Sequence, residues 1–464
     1  MLFRKPKDVN MLEGPIVSRI FQLAVPLMLS NLLQVLYSAA DMIVVKQSGV
    51  AGAVGAIGTT NTVVNLITNL FIGFSIGANV VIARRIGAKE YDRVREAVHT
   101  ALLVGLLFGF IGGLLGFLIS PTAMVLMGDE GRILDMAVKY CRIRFVATPL
   151  MALTNFQIAT FRAKGNSTTP LIVLTISGAL NVLFNVVFVV GLGMDVDGVA
   201  WATVLSHFVS AAMLLIFLSR DDGPCRFSPK LLKIRWPIAG EILRVGIPAG
   251  IQACLINVSN MAIARSIIRV NNLMYPGGSA VLDGHSAAVS VAHFVTSCCG
   301  AFEATLVSFT SQNLGAKNYD RMKRIFRRGY LSGFLFTIAA CGVVLLAQNP
   351  LLSLYLNDPD AIAIAHIRMW LVVGTFPICV LMDCSASYLR GMGRSATSTT
   401  ITLLATCFLR IVWVHTIFER YQTLESVYLS YPVSYLLGAT AQFIAVWLCF
   451  RKIAQKDPSL PVQT

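Results

Sequence analysis

Charge is what this sequence has least of. Asp, Glu, Lys and Arg make up 13% of 464 residues, against 56% hydrophobic. A soluble domain carries about 25% charged residues, so an ordinary soluble fold is excluded at the outset. The scarce charges are also unevenly spread: none occurs in 47–83, 97–128, 165–194 or 329–357. Each stretch exceeds the roughly 20 apolar residues that cross a hydrocarbon core as a helix. The short alternating segments of a membrane β-barrel are missing too. The ten cysteines lack metal-type spacing, and the one close pair, Cys298-Cys299, is adjacent and suits neither a zinc site nor a disulfide framework. No short apolar core followed by a small-residue cleavage site occurs near the start, so no cleaved signal peptide is expected. There is no HExxH and no DDxxD-like cluster, and the Gly-rich GFIGGLLG (109–116) has no Lys-Ser/Thr after it. That run therefore reads as close helix packing and not as a phosphate loop.

What remains reads as an all-α polytopic membrane protein. Charged and Gly/Pro clusters divide the chain into twelve spans near 17–44, 52–83, 96–119, 136–160, 169–191, 197–218, 240–268, 282–311, 329–347, 361–389, 396–418 and 425–450. Connections on one side are basic, among them 84–95, 161–166, 220–235, 315–328 and 389–394. Those opposite, such as 193–198, 357–360 and 419–425, hold few Lys or Arg. The asymmetry predicts a plasma (inner) membrane protein with both termini in the cytoplasm. It also accounts for the net charge of +15 without nucleic acid as a partner.

The chain repeats itself. RIGAKEYDRV (85–94) returns as NLGAKNYDRM (313–322), an offset of 228. The same offset carries Pro149 onto Pro377, Arg162 onto Arg390, Gly165 onto Gly393 and Ser167 onto Ser395. LAVP (23–26) answers VGIP (245–248) at an offset of 222. Two pseudo-symmetric six-helix lobes follow, 1–219 and 239–464, joined by a cytoplasmic linker at 220–238.

A charge at the bilayer centre costs about 2.5–3.5 kcal/mol on insertion scales, so intramembrane ionisable groups mark candidate sites. Gln34, Tyr37 and Asp41 share one face of the first helix. Asn181 and Asn185 stand one turn apart on the fifth span, and Thr203 lies on the sixth. In the second half, Glu303, Asp383 and Arg410 are intramembrane, with Gln252 as a further candidate; Asp383 is the repeat equivalent of Asn155. By helical rise, Arg410 lies about 24 Å from Arg394, which argues against a direct pair with Asp383. Pro26 and Pro248 occupy matching places in the first helix of each half and are expected to bend it. The six histidines show no ligand spacing.

LYSAADMIVVKQSGVAGAVGAIG (36–58), the paired GAKxYDR loops, the paired R-x-x-G segments and GLGMDVDGVAWAT (191–203) resemble the multidrug and toxic compound extrusion (MATE) family, in its DinF-like branch. The resemblance covers nearly the whole chain. It implies a V-shaped, two-lobed antiporter that exchanges H⁺ or Na⁺ for cationic or amphipathic drugs. Asp41 then matches the family's first-helix acid, with Asn181, Asn185 and Thr203 around it, and Asn155 is a further candidate for the cavity of the same lobe. Relatives often carry a second Asp where this chain has Asn185, so Asp41 stands as the lone acid of its lobe.

The expected function is secondary active export of small molecules, with no catalytic residue and no cofactor. The coupling ion is H⁺ or Na⁺, with Na⁺ held at Asp41 if it is the ion used. Drugs or metabolites and membrane lipids are the partners, and the chain is expected to be a monomer. A lipid or lipid-linked oligosaccharide flippase of the same superfamily is the alternative within transport. A membrane enzyme or a channel is disfavoured by the missing catalytic motifs and by the twofold repeat without a filter-like segment.

Overall fold

The computed structural model describes residues 8–47, 53–127 and 131–456. Residues 1–7 and 457–464, the outermost parts of the two termini expected in the cytoplasm, lie outside that range. Among the described residues there are helices and turns and no strand. The long apolar helices are α1 (Ile16–Gln47), α2 (Ala53–Gly87) and α3 (Tyr91–Leu126). The broken pair α4 (Gly131–Val146) and α5 (Thr148–Lys164) follows, then α6 (Thr168–Asn185) and α7 (Val196–Ser219). In the second half, α8 (Trp236–Met274), α9 (Ala280–Gly315) and α10 (Tyr319–Leu346) precede the short α11 (Gln348–Leu352). The rest of the chain comprises α12 (Pro359–Leu371), α13 (Phe376–Gly391), α14 (Ser395–Thr402), α15 (Leu409–Trp413), α16 (Glu419–Tyr421), α17 (Leu424–Tyr428) and α18 (Ser430–Lys456).

Eleven helical stretches among the described residues are long and apolar enough to cross a membrane, so the protein is a multi-pass membrane protein. The twelfth expected span, near 136–160, is present as α4 followed by α5. It is not one long apolar helix, for two reasons. Asp135, Lys139, Arg142 and Arg144 crowd α4, and the helix breaks at Ala147, where Pro149 cannot donate to the carbonyl of Phe145. Gly109, Gly113 and Gly116 of α3 press against this break: a Cβ on Gly113 would stand 2.8 Å from the Phe145 carbonyl oxygen. GFIGGLLG is thus the packing surface for a helix joint.

Backbone irregularities repeat with the sequence. Lys89 and Lys317 both have positive φ, at 58° and 53°. Gly165 and Gly393 do likewise, at 93° and 79°. The break capped by Ala147 returns at Thr375, and a π-helical stretch beginning at Val186 returns at Val414. All four pairs are 228 residues apart, the offset of the motif itself.

By contact the chain forms two compact units. The first comprises Met1–Gly14, Phe21–Cys254 and Ser311–Asn318. The second comprises Pro15–Ile20, Leu255–Thr310 and Tyr319–Thr464. Inside the first unit, α3 and α5 pack together and α2 packs on both. Their core is built from Phe71, Phe74, Phe156 and Phe161 with small residues between. Inside the second unit, α13 packs between α10 and α18.

Candidate functional site

The first unit holds an amide–carboxylate constellation. Asn185 Nδ2 donates to Asp41 Oδ1 at 2.5 Å and lies 3.4 Å from Asn181 Oδ1. Asn185 is fully buried, and its Oδ1 has no hydrogen-bond partner. It stands where α6 passes into the π-helical stretch Val186–Gly191. A wider turn of that kind shifts the register of the side chains beyond it. Tyr37, one turn before Asp41, donates its hydroxyl to the Thr175 carbonyl at 3.2 Å. Its ring lies on Gly178, where a Cβ would be 1.9 Å away, so only glycine at 178 lets α1 and α6 approach this closely.

The remaining first-half candidates are engaged within their own helices. Thr203 Oγ1 donates to the Val199 carbonyl at 3.0 Å, and Asn155 Nδ2 to the Met151 carbonyl at 3.0 Å. Gln34 is exposed. Gln252, expected among the second-half candidates, groups by contact with the first unit; it is buried, and its Oε1 lacks a partner. Arg144 was not among the expected residues. Asp41, Tyr140 and His207 all lie within its electrostatic reach, and its Nε is buried with no partner.

In the second unit, Glu303 and Asp383 are close enough to act on each other, and Arg390 acts on both. Cys379 donates its thiol to Asp383 Oδ2 at 3.3 Å. Arg410 is held elsewhere. Its Nε donates to Ser434 Oγ at 3.1 Å, and its guanidinium lies over the rings of Tyr431, at 4.2 Å, and Tyr435, at 5.4 Å. Among the described residues, no three His, Cys, Asp or Glu side chains gather as metal ligands would.

The MatE family model matches residues 26–187 and again 248–415, which together make up most of the chain. This chain belongs to the MatE family. The double match follows the internal repeat. A Bacillus subtilis protein described as a probable multidrug resistance protein, YoeA, is 26% identical over 424 residues, covering 89% of this chain and 90% of its own. The probable multidrug resistance protein NorM of Thermotoga maritima is 24% identical, covering 83% and 82%. Among solved structures, the outward-facing conformation of a multidrug resistance MATE family transporter superposes with a TM-score of 0.88 at 20% identity. It covers 97% of this chain and all of its own. The all-α polytopic MATE fold is therefore the fold of this protein.

The two repeat-related prolines of this MatE protein lie inside unbroken helices, Pro26 in α1 and Pro248 in α8. Ser30 Oγ donates to the Pro26 carbonyl at 2.8 Å, a back-bond that itself favours bending. At the 222-residue offset, Ser30 corresponds to Gln252. Arg144 carried a readable signal, since the rule that singles out an intramembrane Asp applies equally to an intramembrane Arg. Gly178 carried none, because its role depends on which ring lands on it.

Proposed function

We propose that this MatE protein is a secondary active exporter of cationic or amphipathic small molecules, driven by exchange against H⁺ or Na⁺ across the plasma membrane, with both termini cytoplasmic. The observation that carries this reading is the Asp41–Asn185 pair, a carboxylate held by an amide inside a helical bundle. The names of its relatives as multidrug resistance proteins agree with it.

The chemistry suits a loading site. Ionised, Asp41 accepts from the Asn185 amide; protonated, it donates, and the unpartnered Asn185 Oδ1 accepts after the amide turns over. An aspartate at 185 lacks the N–H for the first of these states. For Na⁺, the oxygens of Asp41, Asn181 and Asn185 are the hard ligands required. Arg144 makes the two loads compete. Its charge balances ionised Asp41, and loading Asp41 with H⁺ or Na⁺ leaves the pocket one unit more positive. Electrostatic repulsion then drives out a cationic substrate. Glu303 and Asp383 form a second candidate loading site beside Arg390.

The test is flux of a fluorescent lipophilic cation in proteoliposomes under an imposed H⁺ or Na⁺ gradient. Movement that follows one gradient and collapses with it supports exchange and names the ion. Dye movement indifferent to both gradients overturns the reading.

A further inference from the structure

The second unit contains an arginine for which the exporter chemistry has no use. Arg368 lies nine residues into α12, about 14 Å of helical rise from Pro359. It is 6% exposed, and its Nε and Nη1 are both buried with no hydrogen-bond partner. The guanidinium thus brings a positive charge and two unmet donors into the interior of the unit. Burial of that kind is strongly disfavoured unless a counter-charge is supplied.

The nearby carboxylates do not supply it. Glu303 and Asp383 lie with Arg390, and Asp383 is also within reach of Arg410. Among the described residues, the groups that Arg368 acts on are His285, Tyr428 and Tyr435. Gly284 of α9 packs on the Ala361 carbonyl, where a Cβ would be 2.4 Å away, and this brings the next residue, His285, up to α12. His285 Nδ1 meets the Tyr428 hydroxyl at 3.0 Å, and the two rings stack at 5.9 Å. Tyr435 also feels Arg410. Both buried arginines thus act on Tyr435, with the Arg410 guanidinium lying over its ring and over that of Tyr431.

We propose that Arg368, with His285 and Tyr428 beside it and Arg410 acting on the same Tyr435, forms a binding site for a small monovalent anion. The anion is either the carboxylate group of an organic molecule or a halide ion. The site supplies N–H and O–H donors, a fixed positive charge and ring edges, which together suit a compact anion and repel a cation. It takes the opposite charge class from the one that Asp41 selects.

The experiment uses the full-length protein, purified in detergent, with ionic strength held by potassium isethionate. The thermal midpoint is read against added benzoate, its neutral analogue benzamide, and chloride. We expect a saturable rise with an anion and none with benzamide. A rise with benzoate alone identifies a carboxylate site. An equal rise with chloride, competing with benzoate, identifies a halide site. R368Q should lose the shift and R368K should keep part of it. Equal shifts with benzoate and benzamide, or a full anion shift in R368Q, overturn the assignment. Should R368Q not fold, H285A carries the localisation. Anion affinity falls several-fold if the site is there, and unchanged affinity overturns it. No gradient is involved, so the result is independent of the exporter reading.

Discussion

The backbone carbonyl of Arg84 lies so close to Gly315 that a Cβ there would stand 1.8 Å from its oxygen. The relationship is reciprocal. At the repeat offset, the carbonyl of Gln312 meets Gly87, where a Cβ would be 1.9 Å away. The two Gly-Ala-Lys turns, each with positive φ at its own lysine, thus close on one another through bare backbone. Gln312 adds a hydrogen bond from Nε2 to the Ala163 carbonyl at 2.7 Å.

A methyl group has no room in either turn, and the obstacle in each is backbone that cannot rotate aside. Overpacking of this sort costs about 1–3 kcal/mol. Gly87→Ala and Gly315→Ala should therefore both lower the thermal midpoint of the purified protein, by similar amounts. Gly342→Ala in α10, which meets nothing within 4 Å, should not. A midpoint unchanged in either turn variant would refute the reciprocal packing.

Asp41 and Asn185 are predicted to act as a pair. Asp41→Asn removes the loading carboxylate and should abolish gradient-driven flux while leaving the protein inserted and folded. Asn185→Ala removes a charge-assisted hydrogen bond of about 1.5–3 kcal/mol, so turnover should fall roughly 10- to 100-fold. Wild-type flux in the first variant, or unchanged turnover in the second, would break the assignment.

How far the sequence foretold this arrangement depends on the range of the interaction. The repeat was legible because its motif lies within single loops, and the backbone follows it down to the sign of φ at Lys89 and Lys317. Asp41 was legible through the cost of its charge, and Asn181 and Asn185 through their spacing. Their meeting across 144 residues was not derivable from spacing, and entered only through the family resemblance. The π-helical stretches at Val186 and Val414 have no side-chain signature and stayed invisible. Attention to acids passed over Arg144 and Arg368, whose charges were as plain in the sequence as that of Asp41. Thr203 and Asn155 came from the resemblance and the repeat, neither of which foretold that each gives its donor to its own helix.

The linker after α7 supplies a reporter. Cys225 is 1% exposed, and burial beside Asp221 and Asp8 pushes its thiol up to about 12, with Lys164 only partly opposing. At neutral pH fewer than about one such thiol in ten thousand is ionised. The linker is docked by the Ser228 N–H donating to His99 Nε2 at 3.0 Å, while Phe227 stacks on the imidazole at 5.6 Å. N-Ethylmaleimide should therefore label Cys225 very slowly in the wild type from pH 7 to 9. His99→Ala should speed its labelling at least tenfold, as read by mass mapping of the Cys225 peptide. Rapid labelling in the wild type would show that the linker is not held there.

Pro26 and Asp41 share α1, fifteen residues apart in the sequence and about 22 Å by helical rise. Proline removes one backbone hydrogen bond, and the back-bond from Ser30 weakens the helix in the turn that follows. A helix softened at that point can bend without breaking, so loading at Asp41 has a mechanical outlet on its own helix. Pro248 removes the same bond in α8, but at Ser30's repeat position stands Gln252, a residue without the short hydroxyl that makes this back-bond. Pro26→Ala restores the missing N–H and stiffens α1. Turnover should then fall more than substrate affinity, because binding does not require the bend and cycling does. Ser30→Ala should produce a smaller change in the same direction, and Pro248→Ala the least of the three. The measurement is kcat and KM for each variant in proteoliposomes under one imposed gradient. Equal and negligible effects on kcat would reduce both prolines to packing features and remove the link between Asp41 and helix bending. A rise in KM with kcat unchanged would instead place Pro26 in the shape of the binding cavity.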